Sequence, residues 1–300
     1  TWGIFLKSVV ADRLNFLINP VFDNIQLSNN VEVFSSTLLY SLNIFFDFAG
    51  YTKIAIGSSM LFGIFLQENF NNPMAALSCT DFWRRWHISL SNFLQDYLFL
   101  PLNFKFRKLR LYGLILSTII TFGIAGIWHG PTICFLLFGI YHGIWLSLEI
   151  IFRKNIISNL NKYLGKRITN FISLITTFLG ISLSFILFRF ENLEEVKIVY
   201  IKFFSCLKDI IFHTFDFLLS LKEFFIKGSD QVTLEWYIIP FNTLIIIFSF
   251  LLIFIIRRFS LIEKIKKYKL FYQFLLLQSL IIAIVNFGFI DSQPFVYFRF

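Results

Sequence analysis

Long apolar runs alternate with short polar stretches along almost the whole chain of 300 residues. A helix needs roughly 20 mostly apolar residues to cross the hydrocarbon core of a bilayer, which is about 30 Å thick. Such runs predict membrane-spanning helices at 34–50, 54–66, 111–128, 131–152, 170–189, 237–256 and 270–290. The apolar segment 1–22 is expected along the membrane interface, because four residues interrupt it: Lys7, Asp12, Arg13 and Pro20. The pattern indicates an all-α, polytopic membrane protein, with 1–300 forming a single unit.

Basic residues cluster beside the apolar runs, at 105–110 (KFRKLR), 153–154 and 257–269 (RRFSLIEKIKKYK). Positive charge is retained at cytoplasmic membrane edges, where it meets anionic lipid. If all these stretches are cytoplasmic, 111–152 is a hairpin that enters the membrane and returns. The stretch 191–235, which mixes acids, lysines and aromatics, then lies outside as amphipathic surface helices.

Residues 81–97 (DFWRRWHISLSNFLQDY) divide sharply into polar and apolar positions. On a helix of 3.6 residues per turn, one half carries Asp81, Arg84, Arg85, His87, Ser89, Ser91, Asn92, Gln95 and Asp96. The pattern predicts one amphipathic helix, too charged to cross lipid alone, which is either interfacial or re-entrant within a protein-lined cavity. Asp81 and Arg85 are spaced to form an i,i+4 ion pair.

Composition places the chain among integral membrane proteins, because 57% of its residues are hydrophobic, its mean hydropathy is +0.71 and only 15% are charged. The 27 Lys and Arg against 18 Asp and Glu give a net charge of +9. Because this excess sits at membrane edges, we expect membrane lipid and no nucleic acid as its partner. Cys79, Cys134 and Cys206 lie far apart and favour neither a metal site nor a disulfide framework.

Three of the four histidines, His87, His129 and His142, lie in or beside apolar segments. An ionisable side chain at membrane depth is costly, so a function is the default hypothesis. A neutral imidazole costs less, and it is the form that a general base needs. His142 lies in GIYHG, a small-xxx-small pattern, so we expect it to hydrogen-bond across a helix interface. His213 lies in the expected surface stretch and suggests no role.

His129 lies in FGIAGIWHGPT (122–132), next to a break in the helix pattern. Pro131 lacks an amide donor and disfavours helix in the residue before it, so Gly130 and Pro131 end the helix. Broken backbone at membrane depth is tolerated only where protein covers it or water reaches it. We therefore expect His129 to face a cavity, in which Gly126 and Gly130 leave room for a substrate.

Several segments resemble, in order, the membrane-bound O-acyltransferase family and its bacterial branch that contains the alginate O-acetylation protein and the D-alanyl transfer protein of teichoic acid synthesis. They are FFDFAGYTKIAIG (45–57), ENFNNP (68–73), DFWRRWHISLSNFLQDYLFLPL (81–102), GIWHG (126–130), YHG (141–143) and PFVYFRF (294–300). The resemblance implies a ring of tilted helices around a central tunnel, where a cytoplasmic acyl donor meets an acceptor from the far side. It also implies further N-terminal helices, so we expect this chain to be the C-terminal two-thirds of such a protein.

By this resemblance, the family's essential WHG histidine corresponds to His129, and its second active-site histidine, in RWH, corresponds to His87. His129 is expected to act as the general base, while His87 positions the donor or stabilises the oxyanion. Further candidates for binding the substrate or the donor are Trp128, Asp81, Arg84, Arg85, Ser91, Asp96 and Asp47. We expect no metal and no bound cofactor.

The expected function is an acyltransferase of the bacterial cell membrane. It would move an acyl group, acetyl first, from acetyl-CoA or a carrier-protein thioester to a cell-surface polysaccharide or to a periplasmic or extracellular acetyltransferase partner. FWRRWHISLS favours O-acetylation, and D-alanyl transfer to teichoic acid is the alternative. Lys53 and the LNFKFRKLR stretch after Pro101 depart from the family pattern and leave the acceptor open. A proton-coupled transporter or channel that uses Asp47 and the histidines is the alternative of another class, and a structural scaffold is third.

Overall fold

The computed structural model describes residues 1–212, 220–221 and 270–288, and every regular element in those ranges is helical. The α-helices are α1 (Trp2–Ile4), α2 (Asp12–Asp23), α3 (Asn30–Met60), α4 (Cys79–Trp83), α5 (Ile88–Leu94), α6 (Leu100–Lys105), α7 (Leu111–His129), α8 (Ile133–Arg189), α9 (Leu193–Phe212) and α10 (Leu270–Phe287). Stretches of π-helix (Phe5–Ala11 and Gln95–Phe99) and 3-10 helix (Pro73–Ala75 and Arg107–Leu109) join some of them. The predicted span 237–256, the basic stretch 257–269, His213 and the motif 294–300 lie outside the described residues.

The chain divides into two compact units. The first comprises Thr1–Leu66 and Glu194–Arg299, and the second comprises Gln67–Leu193 together with Phe300. The single unit that we expect over 1–300 stays a prediction.

Three of the described helices, α7, α8 and α10, are long and apolar enough to cross a membrane. Two of them match the predicted spans 111–128 and 270–290. The predicted spans 131–152 and 170–189 both fall within α8, which bends at Gly165, where the backbone leaves the helical region (φ 77°, ψ 158°). Two helical segments therefore meet at Gly165 without a longer loop, and the polar residues between the two predicted spans lie within these segments.

Helices α7 and α8 pack as an antiparallel hairpin, as predicted over 111–152, and the orientation of this hairpin in the membrane stays a prediction. A Cβ added to Gly126 or Gly139 would collide with the backbone carbonyl of the facing helix, at Phe135 and Phe122 respectively. A Cβ on Gly143 would lie 2.9 Å from the Cα of Ile119. Small residues thus allow the two backbones to approach closely, as in membrane helix pairs.

In the first unit, residues 2–23 pack antiparallel along α3. The side chain of Asn43 donates to the carbonyl of Ala11 over 2.6 Å, and Lys7 Nζ lies 2.7 Å from Asp47 and 2.8 Å from Asp12. The charges that interrupt segment 1–22 include a buried lysine paired with buried carboxylates. Because Lys7 and Asp12 are buried and paired, their charges are not evidence that segment 1–22 lies at the membrane interface, as we had expected.

Helix α3 corrects two predicted spans. The runs 34–50 and 54–66 belong to one helix, which begins with a capping box between Asn29 and Glu32 and ends at Met60. The polar pair Thr52 and Lys53 does not interrupt it, because neither residue is a helix breaker. Residues 61–66 are apolar but lie beyond the helix, and their side chains are exposed.

Candidate active site

His129 is the last residue of α7, and the chain then turns through Gly130 into α8. This confirms that the helix ends at the Gly-Pro pair. The His129 side chain is only 8% exposed, and its ring lies among aromatic rings. The centroid distances are 4.9 Å to Trp128 and Phe188, 6.2 Å to Phe138 and 6.5 Å to Phe135. The imidazole is therefore held in an apolar pocket at the turn of the hairpin.

The expectation that Gly126 and Gly130 leave room for a substrate is wrong. The space beside Gly126 is filled by the Phe135 carbonyl, and a Cβ on Gly130 would lie 2.5 Å from the Phe135 ring. These glycines bring α8 against the end of α7 and so help to bury His129. Room for a substrate does not come from them.

His87 lies in a turn and not within a helix, which corrects the continuous helix predicted over 81–97. Helix α4 ends at Trp83, α5 begins at Ile88, and His87 between them has φ 44° and ψ 56°. A residue other than glycine in this left-handed region costs on the order of 1–3 kcal/mol and persists only when its surroundings fix it. The polar residues of 81–97 therefore do not share one continuous helical face.

The turn at His87 is held by a segment that precedes α4. The carbonyl and the side-chain Oδ1 of Asn69 accept hydrogen bonds from the amides of Ile88 and Ser89, each over 3.0 Å. The amide of Asn71 donates to the Arg85 carbonyl over 2.9 Å. Residues 69–71 therefore run alongside 85–89 and hold the turn.

The turn brings His87 close enough to His129 for the two rings to interact electrostatically. The two histidines of the RWH and WHG motifs, 42 positions apart in sequence, thus lie in the same region of the second unit. Catalytic roles for them stay a prediction.

Helix α4 has a well-defined beginning. The Ser78 hydroxyl accepts from the Asp81 amide over 2.9 Å, and the Asp81 carboxylate accepts from the Leu77 amide over 3.0 Å. The same carboxylate lies 2.7 Å from Arg85 Nε, which confirms the predicted i,i+4 ion pair. Asp81 and Arg85 thus have local structural partners.

One face of α8 holds α4 in place through three side chains, His142, Glu149 and Arg153, which lie one above another on the helix. The Glu149 carboxylate accepts from the Cys79 amide over 2.7 Å, and from the amide and hydroxyl of Thr80 over 3.0 and 2.8 Å. Arg153 donates to the Leu77 carbonyl over 3.3 Å.

His142 is fully buried and links its part of α8 to α4 and to the part of α8 beyond Gly165, which confirms its predicted role at a helix interface. The indole of Trp83 donates to His142 Nδ1 over 3.2 Å, and Cys79 Sγ lies 3.5 Å from the same atom. Since Nδ1 accepts, Nε2 carries the proton and donates to the Ser184 hydroxyl, 3.1 Å away.

The remaining predicted site residues differ in their surroundings. Arg84, Asp96 and Trp128 are exposed, and the Ser91 hydroxyl donates to the Trp86 carbonyl over 3.1 Å. Asp47 is buried in the first unit with Lys7 as its ion-pair partner. Binding roles for these residues stay predictions.

Sequence reasoning missed Asn69 and Glu149. A signal was present for Glu149, because it is the only acidic residue between Asp96 and Glu191 and stands inside an apolar run. Asn69 lies in the ENFNNP motif but has no pattern that reveals its partners. Within the described residues, no group of three His, Cys, Asp or Glu side chains could hold a metal ion.

Residues 27–190, more than half of the chain, match the model of the membrane-bound O-acyltransferase family. The chain is 36% identical over 194 residues to the peptidoglycan O-acetyltransferase of Helicobacter pylori, covering 64% of this chain and 35% of that protein. It is 32% identical over 203 residues to a probable alginate O-acetylase AlgI of Pseudomonas aeruginosa (68% and 37%). It is 34% identical over 161 residues to the teichoic acid D-alanyltransferase of Bacillus subtilis (51% and 40%).

The chain thus spans 35–40% of the length of these relatives. The matched region contains α3, the turn at His87 and the α7–α8 hairpin. The family match and the apolar helices α7, α8 and α10 together identify a membrane protein. The chain belongs to the membrane-bound O-acyltransferase family.

Proposed function

We propose that the protein transfers an acyl group, with acetyl as the first choice, from a cytoplasmic thioester donor to a hydroxyl group on the far side of the membrane. The observation that carries this proposal is the burial of His129 among aromatic rings at the end of α7, with His87 near enough to contribute to its electrostatic surroundings. The names of the three relatives support an acyltransferase that modifies the cell envelope.

In the proposed step, His129 accepts the proton of the acceptor hydroxyl while its oxygen attacks the thioester carbonyl carbon. The new C–O bond forms, the C–S bond breaks, and the imidazolium returns its proton to the departing thiolate. A positioned general base contributes about 10²- to 10⁴-fold in rate. The apolar rings around His129 favour a neutral imidazole, which is the form able to accept a proton.

His87 is proposed to stabilise the negative charge on the carbonyl oxygen or to position the donor. Preorganised donors act most strongly where charge develops in the transition state, and the hydrogen bonds of the turn fix the backbone around His87 independently of any substrate. Arg84 is exposed beside the turn, and all four cationic residues of the basic stretch 105–110 are exposed. Both are proposed to attract the phosphates of an acyl donor such as acetyl-CoA, although membrane lipid is an equally suitable partner for 105–110.

We further propose a multi-pass location in the bacterial cytoplasmic membrane, and an acceptor that is either a cell-surface polysaccharide or a periplasmic or extracellular acetyltransferase. D-alanyl transfer to teichoic acid is the second candidate, because one relative carries that name. A proton-coupled transporter or channel remains the alternative of another class.

The test uses the protein in liposomes with labelled acetyl-CoA on one side and peptidoglycan fragments or alginate oligomers on the other. His129→Ala is expected to lower acyl transfer by about 10²-fold or more while the protein still inserts and stays monodisperse in detergent. His213→Ala, a histidine outside the RWH, WHG and YHG motifs, is the control and is expected to match the wild type.

Full activity of His129→Ala would refute the role of His129. Transfer only from a D-alanyl carrier-protein thioester to lipoteichoic acid would select the second candidate. Flux of a labelled solute without acyl turnover would favour a transporter.

A further inference from the structure

At the start of α5, the residue at the cap position and the residue that caps the helix are different. His87 occupies the cap position of this helix, but its side chain makes no capping hydrogen bond. A capping side chain normally accepts from the second or third amide of its own helix. At α5 the second amide, that of Ser89, donates instead to the side chain of Asn69, 20 residues earlier in sequence.

Asn69 satisfies the first amide of α5 as well. Its backbone carbonyl accepts from Ile88, the residue directly after His87. Asn69 therefore accepts hydrogen bonds from both of the backbone amides that follow His87. The first amides of a helix have no partner within it, so these two bonds stabilise the start of α5 and the backbone conformation of His87.

The neighbours of Asn69 hold the other side of the turn through different groups. Asn71 contacts Arg85 through its backbone amide, and Phe70 packs edge-on against Trp86 with ring centroids 5.0 Å apart. The side chain of Asn71 is exposed. Within residues 69–71, the side-chain atom that accepts a hydrogen bond from the turn is thus Asn69 Oδ1.

We propose that Asn69 is the positioning residue of His87: it caps the first amides of α5 from outside the helix, so that the His87 ring, whose Nδ1 lies 3.4 Å from the Ser89 hydroxyl, is held in place without capping these amides itself. This inference rests on the proposed function for its effect on rate, and on the contacts of Asn69 for its effect on the turn. It predicts that an oxygen acceptor at position 69 is required, while the amide nitrogen is not.

The experiment compares Asn69→Ala, Asn69→Asp and the matched control Asn71→Ala in liposomes. Asn69→Ala is expected to lower kcat roughly tenfold, the rate equivalent of one lost hydrogen bond, without changing the KM of the acyl donor. Asn69→Asp keeps the acceptor oxygen and is expected to restore kcat to within about twofold of the wild type, since a carboxylate accepts the same bond. Asn71→Ala is expected to match the wild type.

A double-variant cycle tests whether the loss of kcat in Asn69→Ala is transmitted through His87. In a His87→Ala background, Asn69→Ala is expected to cause no further loss, because its effect is transmitted through the His87 ring. An unchanged kcat in Asn69→Ala, failure of Asn69→Asp to rescue, or losses that multiply in the double variant would each overturn the proposal. So would a loss that disappears when turnover is expressed per folded molecule.

Amide hydrogen exchange separates this inference from the proposed function. Faster exchange at Ile88 and Ser89 in Asn69→Ala, but not in Asn71→Ala, is expected whether or not the wild type transfers acetyl. A wild type without acyl transfer but with this exchange pattern would refute the function and retain the positioning contact. Unchanged exchange would overturn the positioning contact itself.

Discussion

The indole nitrogen of Trp83 lies 3.2 Å from His142 Nδ1, and this bond determines which ring nitrogen carries the proton. Because an indole can only donate, Nδ1 must accept and Nε2 must donate to Ser184. Both nitrogens are committed to fixed partners in the interior of the second unit. His142 is accordingly a structural histidine.

His142→Ala is expected to destabilise the protein rather than to stop its chemistry. The substitution leaves the Trp83 indole unsatisfied and opens a cavity, and each buried group left without its bond costs about 1–3 kcal/mol. Thermal unfolding in detergent should show a lower Tm, while turnover per folded molecule falls far less than in His129→Ala. A Tm equal to that of the wild type would contradict this role.

Two substitutions at His87 separate backbone strain from chemistry. Glycine adopts the left-handed conformation without the cost, about 1–2 kcal/mol, that alanine retains. His87→Gly should therefore unfold at a higher temperature than His87→Ala, while both lose most of their acyl transfer. If the two variants were equally stable, the left-handed conformation at this position would be in doubt.

Glu149 is expected to keep Cys79 inaccessible. Glu149→Ala removes the acceptor of three hydrogen bonds from Cys79 and Thr80, so the start of α4 should separate from α8. Site-resolved mass spectrometry after maleimide treatment should detect labelling of Cys79, whose side chain is fully buried in the folded protein. Glu194→Ala, at an acid whose side chain is 76% exposed, is the control and should leave Cys79 unlabelled.

Helix contact between α7 and α8 should be sensitive to a single methyl group. Gly126→Ala or Gly139→Ala places a Cβ against a backbone carbonyl that cannot move without separating the helices. Each is expected to cost about 1–3 kcal/mol, the usual penalty for overpacking. Gly57→Ala is the matched control, because the space beside this glycine of α3 is open and alanine favours a helix by about 1 kcal/mol. Comparable losses from all three would contradict the close approach.

Substitutions of the buried charged residues in the first unit should lower the stability of the protein by unequal amounts. Lys7→Met leaves Asp12 and Asp47 buried without their common cation, and breaking such a pair costs about 3–5 kcal/mol. Asp47→Asn leaves the pair of Lys7 and Asp12 and should cost less. Chemical unfolding of the two variants measures the difference, and a smaller loss for Lys7→Met would refute this assignment of charges.

Those elements whose pattern is local could be predicted from sequence. The apolar runs predicted α7 and α10, the Gly-Pro pair predicted the end of α7, and GIYHG predicted the interface role of His142. The ion pair of Asp81 and Arg85 required only i,i+4 spacing. Each of these depends on residues within one or two helical turns.

Other features depend on partners distant in sequence. The amphipathic pattern of 81–97 is compatible with one helix, and the break at His87 follows from Asn69, which no periodicity connects to it. Lys7 suggests a surface position until Asp47, 40 residues later, is placed beside it. Glu149 was recognisable as a lone acid in an apolar run, but its target at Cys79 and Thr80 was not.

Helix α8 supports both histidines of the site at once. Its first turns bury His129 against the end of α7, and its His142 and Glu149 carry the segment that leads to His87. A displacement of the first part of this helix, before Gly165, therefore acts on the surroundings of both imidazoles at once.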